Sequence, residues 1–132
     1  MSEAWEFFSS PKNLSKITPE HMQFQILYIS GGDKAYAGQI IRYNVSVLPG
    51  IKVHWVTEIT QVKEPFHFID EQRFGPYAMW HHQHHFKEVA GGVEMLAHWI
   101  FVGGEVNRIF NHRYKVLEEY FSKSKTGFLK TA

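Results

Sequence analysis

The residues best suited to chemistry cluster at 74–86, FGPYAMWHHQHHF, directly after Asp70, Glu71 and Gln72. Read as a hairpin, the second strand of this segment sends Trp80, His82, His84 and Phe86 to one face. Met79, His81, Gln83 and His85 go to the other, because successive side chains of a strand alternate. The rings of Trp80 and Phe86 predict that their face turns inward and takes His82 and His84 with it. Polar groups inside an apolar layer need hydrogen bonds or a ligand. Asp70 is the expected partner, and three chemistries are open to the cluster. It can be a buried, mutually satisfied pair that fixes sheet geometry, and such a pair can also contact a bound ligand. It can be an acid–base pair, with His82 the base and Asp70 its orienter. It can also be a two-histidine, one-carboxylate metal set of Asp70, His82 and His84. The sequence shows neither outer-shell partners nor a solvent opening for a metal, so no metal, no cofactor and no catalytic residue are expected. His67, His81, His85 and His98 are predicted on a solvated convex face.

Alternating segments at 22–29, 39–47, 51–62, 66–73, 80–86 and 92–101 predict the elements that position this cluster. The inward sets are Phe24, Ile26 and Tyr28; Ile41, Tyr43, Val45 and Val47; Val53, Trp55, Thr57 and Ile59; Phe66, Phe68, Asp70 and Gln72; and Val93, Met95, Ala97, Trp99 and Phe101. Six strands with short turns make an antiparallel meander with one wet face. Ser2 is expected to cap a short helix that carries Trp5, Phe7 and Phe8 inward and stops at Pro11. A short turn at 13–17 follows. At 105–123 the period changes to three and four, with Val106, Ile109, Phe110, Tyr114, Leu117, Tyr120 and Phe121 on one side. That is a long amphipathic helix. The expected class is α+β: a curved antiparallel sheet of about six strands wrapped around a long C-terminal helix (a helix-grip), with short N-terminal helices.

Requiring inward residues to face each other fixes a register. Turns at Gly75-Pro76, Glu64-Pro65 and Ala90-Gly91 predict one row of Thr57, Asp70, His82 and Trp99, with Ala97 beside His84 and Phe68 opposite it. The next row is Trp55, Gln72, Trp80 and Phe101. A hydroxyl, a carboxylate, an amide and two imidazoles then converge among large rings, the composition of a small-molecule pocket.

With 132 residues, the chain is expected to be one domain, 1–132, large enough for a real core. A hydrophobic share of 44% and an aromatic share of 16% exclude disorder. The net charge of +1 gives no footprint for nucleic acid or a membrane surface. The absence of cysteine excludes disulfides, thiolate zinc sites and cysteine nucleophiles. No leader pattern or spanning apolar run is present, so a cytoplasmic protein without membrane or nucleic-acid partners is expected. No nucleophile motif, P-loop or dinucleotide fingerprint occurs.

The series SPKNLSKITP, GIKVHWVTEIT, FHFIDEQRFGPYAMWHHQHHF and IFNHRYKVLEEYF resembles the SRPBCC superfamily of START-like and birch-pollen-allergen-like helix-grip proteins. Within it, the chain is similar to the bacterial ligand-binding or polyketide-cyclase-like subgroup. The most specific part is DEQ-x2-GPY-x2-W-x-H-x-H-x-F, Asp70 to Phe86. The resemblance implies binding of a small hydrophobic ligand between sheet and closing helix. Together with the inward residues it points to Trp55, Thr57, Asp70, Gln72, Trp80, His82, His84, Trp99, Phe110 and Tyr114 as the ligand-binding set. The alternatives are a cyclase- or dehydratase-like enzyme using His82 and Asp70, and an accessory protein-interaction domain with a filled core. Relatives usually begin with a strand, have a longer link before the last helix, and carry an acidic residue where Ala97 stands. Without that edge strand, lower stability, strand pairing with another subunit in a homo-oligomer, or a shortened sheet is expected.

Overall fold

The computed structural model describes residues 1–100, 104–122 and 127–131, with side chains over 1–98, 100 and 111–122. It is an α+β arrangement built on one sheet in the strand order β1 to β7. The strands are β1 (Gln25–Ile29), β2 (Gln39–Leu48), β3 (Ile51–Lys63), β4 (His67–Phe74), β5 (His81–Val89), β6 (Gly92–Ile100) and β7 (Gly127–Thr131). The first six pair antiparallel with their sequence neighbours. Helix α1 (Ser2–Phe8) and two 3₁₀ segments, Pro11–Ile17 and Glu20–Met22, precede the sheet. Helix α2 (Gly104–Ser122) follows β6. Met1, not Ser2, occupies the N-cap of α1, and no side chain caps it, because Ser2 is itself helical.

β7 was not expected from the sequence. It pairs parallel with β6, from Gly92↔Gly127 to Leu96↔Thr131. Parallel neighbours need a long crossover, and α2 supplies it. The edge of β6 is therefore covered within the chain, although the sequence led us to expect a missing edge strand.

One continuous core joins the N-terminal segment, the sheet and α2: Trp5, Phe7, Ile41, Val45, Phe68, Phe86, Val93, Leu117 and Phe121 are all buried in it. Each large apolar side chain so buried contributes roughly 1.5–3 kcal/mol. Three expected inward residues instead face out. Tyr28 is 51% exposed because a bulge between Ile26 and Tyr28 reverses the alternation of β1. Val47 is exposed and Ser46 buried for the same reason, a register shift at the end of β2. Phe66 is exposed because it belongs to the turn before β4, where its N–H donates to the Lys63 carbonyl.

The β3–β4 register also differs from expectation. That turn takes three residues, with Lys63 paired to His67, and Thr60 is skipped between Ile59 and Gln61. Ile59, not Thr57, therefore lies beside Asp70, and Thr57, not Trp55, lies beside Gln72. The displacement is two residues, so Trp55, Thr57 and Ile59 keep the expected face. The skipped residue also explains why Val62, of opposite parity to Ile59, packs on the core. Among the described residues no helix is long and apolar enough to cross a membrane.

Candidate functional site

β4 and β5 hold the site. Asp70 pairs with His82, Phe68 with His84, and on the far side of β5 His82 pairs with Trp99 and His84 with Ala97. These are the pairings the two turns predicted. Gln72 and Trp80 also meet as expected, the Gln72 N–H donating to the Trp80 carbonyl at 3.1 Å. His82 is 2% exposed, while its neighbour His81 is only half-buried and lies on the opposite face.

Asp70 is the hub. Its Oδ1 accepts from the Trp80 indole N–H at 2.9 Å, and its Oδ2 lies 2.8 Å from His84 Nε2. His82 Nδ1 lies 3.4 Å from the same Oδ2. Burial pushes the Asp70 pKa up, but hydrogen bonds and charge from His82 and His84 outweigh it. The carboxyl is held well below the ordinary carboxylate range. Burial, reinforced by His82, pushes His84 down to about 4 against the opposing pull of Asp70. At neutral pH the pair is thus a carboxylate and a neutral imidazole. The carboxylate can only accept, so His84 donates from Nε2 and keeps a lone pair on Nδ1. The rings fix this geometry: His84 stacks on Phe68 with centroids 4.1 Å apart, and His82 sits 3.9 Å from His84.

These groups open onto a cavity of about 90 Å³. Sheet residues including Ile41, Ile59 and Phe68 form one wall; Phe7, Phe8, Leu14 and Met22 close it from the N-terminal segment. Of the sequence-predicted residues, Trp55, Thr57, Asp70, Trp80, His82 and His84 line it. Gln72 does not: its amide is tied to the Tyr77 backbone, donating to the carbonyl and accepting from the N–H. Gly75 lies so close that a Cβ there would meet the Gln72 amide and approach Trp55 Cδ1 to 2.8 Å. Tyr114 is half-buried on α2 and is not on the wall. The side chains of Trp99 and Phe110 lie outside the described residues.

Six polar residues of the wall were missed: Ser9, Ser10, Asn13, Thr18, Tyr43 and Arg113. Tyr43 faces the cavity from β2 and bonds the Thr57 side chain; burial and then Asp70 push its phenol upward. Arg113 reaches in from α2 and donates from Nη2 to Thr18 Oγ1 at 3.3 Å. The Thr18 hydroxyl in turn donates to the Leu14 carbonyl at 2.6 Å. Ser9, Ser10 and Asn13 add to the polar lining. The signal for Arg113 was present, since it shares a four-residue spacing with the buried Leu117 and Phe121. Among the described residues, Ser9 Oγ, Trp55 Nε1 and His84 Nδ1 are buried without a hydrogen-bond partner, and all three residues belong to the wall. Leaving such groups unsatisfied costs about 1–3 kcal/mol each.

The opposite face of the same strands is an open polar network. Arg73 Nε donates to Glu58 at 2.7 Å and its Nη1 lies 3.1 Å from Glu71. Glu71 meets His81 Nδ1 at 2.7 Å, and Gln83 bridges His81 and His85 at 2.9 and 3.1 Å. His67, His85 and His98 share this face, and their neighbouring ring centroids lie 5.4 Å (His67–His85) and 6.0 Å (His85–His98) apart.

No protein family, curated protein or solved structure matches the chain at a significant level.

Proposed function

We propose that this chain is a helix-grip domain that binds a compact, largely apolar molecule carrying one or two hydrogen-bonding groups. The observation that carries this reading is the cavity wall, which is apolar except for a few polar groups, three of them without partners. A ligand with an acceptor for Trp55 Nε1–H and a hydroxyl for His84 Nδ1 would relieve two of those deficits. Apolar walls with a few placed polar groups are the usual composition of small-molecule sites. The resemblance to SRPBCC proteins and the burial of Leu117 and Phe121 of α2 in the sheet's core are compatible with the same reading.

The size of the cavity sharpens the ligand class. At about 90 Å³ it is smaller than the several hundred Å³ of a drug-sized site. An engineered apolar cavity of about 150 Å³ accepts benzene. The ligand is therefore no larger than one small ring or a short branched chain, and not a polycyclic polyketide. Binding is favoured over proton transfer by His82 because Asp70 Oδ2, its orienter in that reading, lies 3.4 Å from His82 Nδ1 but 2.8 Å from His84 Nε2. His84, held near 4, is itself a weak base at neutral pH. A fully filled interior, the mark of a pure interaction domain, is disfavoured by the same cavity.

The test is a panel of small alcohols, ketones and phenols, each matched with its hydrocarbon. Binding is followed through the indole N–H resonances of Trp55 and Trp80. Each polar member should bind about tenfold more tightly than its hydrocarbon, the worth of one net hydrogen bond. If no member perturbs either indole at millimolar concentration, the interior is packing and the proposal fails.

A further inference from the structure

We propose that Asp70, His82 and His84 bind one divalent first-row transition-metal ion at the polar end of the cavity. This goes beyond ligand binding and does not depend on it. Among the described residues, these three side chains each offer one ligand atom, all within 4.8 Å of one another. Asp70 Oδ2 lies 2.8 Å from His84 Nε2 and 3.4 Å from His82 Nδ1. With metal–nitrogen and metal–oxygen bonds of about 2.0–2.2 Å, neighbouring donors in a tetrahedral or octahedral shell stand about 3–3.5 Å apart. Asp70 Oδ2 already stands near that spacing from both imidazoles. The His84 proton would shift from Nε2 to Nδ1 to free the ligating nitrogen, so an ion could enter with small ring rotations and no movement of strand.

The donors also come from rigid positions. Asp70 and His82 are a cross-strand pair, and His84 is the next inward residue of the same strand. Sites on regular elements hold their geometry better than sites on loops. Of the two features that the sequence alone did not provide, an outer partner is present, and an adjoining cavity stands in for the open side. The Trp80 indole N–H fixes the second carboxylate oxygen at 2.9 Å, the kind of outer contact that orients a ligating group. The cavity adjoins the cluster and, at about 90 Å³, has room for about three waters or a small co-ligand in the remaining coordination positions. Two imidazoles and one carboxylate with open positions suit iron(II), cobalt(II) or zinc(II) and disfavour calcium or magnesium. Arg113 lines the same cavity, and its charge opposes a bare dication. The ion is therefore expected to bring an anionic group, such as hydroxide or a carboxylate, between itself and the guanidinium.

The protein is stripped with chelator and titrated with cobalt(II) and zinc(II). About one zinc per chain should bind, and cobalt should broaden the Trp80 indole N–H resonance before any signal of His67, His85 or His98. D70N and H84Q should each weaken zinc at least about 100-fold, whereas H85Q combined with H98Q should leave it unchanged. No uptake at millimolar zinc overturns the proposal. So does broadening confined to the outward-face histidines, or wild-type affinity in D70N. The paramagnetic arm uses the unmodified protein, so it stands even where a variant fails to fold. Repeating the small-molecule panel in chelator separates failure of this site from failure of ligand binding.

Discussion

β5 carries the same side chain into two chemistries. Its inward imidazoles, His82 and His84, share one ionised carboxylate in a water-poor layer, with a tryptophan holding that carboxylate from the other side. Its outward imidazoles, His81 and His85, join a chain of acids, amides and an arginine that solvent reaches. The partner types are nearly the same, Asp70 inside and Glu71 outside. The difference is dielectric. Inside, each missing bond is costly and each proton is contested; outside, water substitutes for any partner that is lost.

The widest gap is expected between the two acids. Asp70→Ala should destabilise the fold by about 3–5 kcal/mol in chemical denaturation, because it leaves two imidazoles and an indole N–H buried without their acceptor. Glu71→Ala should cost under about 1 kcal/mol. Equal losses would abolish the contrast.

Acidification gives the next largest effect. His84 takes up its proton near 6.5 when unfolded and at about 4 when folded, so the unfolded state binds more protons in that window. Stability is complete above 6.5 and should fall by roughly 1–3 kcal/mol as pH drops from 6.5 to 4. The depressed Asp70 adds further loss as pH falls below its unfolded value of about 3.9. His84→Gln should flatten the upper part of this slope. A slope unchanged by that substitution would place the responsible proton elsewhere.

Gly75→Ala probes how tightly the inner layer is held from the side. A methyl there must displace the Gln72 amide or the Trp55 ring, at a cost of about 1–3 kcal/mol and a shifted Trp55 indole resonance. Smallest of all, His85→Gln on the outward face should change stability by no more than about 0.5 kcal/mol. A larger change would mean that the outer network is more than a solvated ladder.

Much of the inner layer was legible in the sequence because short turns and strict alternation specify it. The two-residue turn at Ala90-Gly91 and the six-residue loop between β4 and β5, whose pairing is centred on Pro76, set the partners of Asp70, His82 and His84. Where the chain bulges, at Leu27, Val47 and Thr60, alternation misreads the faces that follow, and nothing in residue type alone marks those points. Thr57 and Asp70 were placed in the same row and are two residues apart across the pair, yet both line the cavity because parity survived. Tyr43 and Arg113 escaped the site list for another reason: a phenol on a core strand and an arginine on an amphipathic helix read as ordinary until the space between them is known. β7 was invisible because its pairing is set by the length and direction of α2, not by its own five residues.

That last strand has a mechanical consequence. Helix α2 is joined to β6 at its start and returns to the same strand through β7 at its end, so both of its termini are moored to one edge of the sheet. A helix tethered in this way cannot hinge open like a door without unzipping backbone bonds. Among the described residues, the N-terminal segment is moored to α2 by side chains alone, including the Arg113–Thr18 hydrogen bond and the packing of Phe7 and Phe8 on Phe121, and is the more readily displaced cover of the interior.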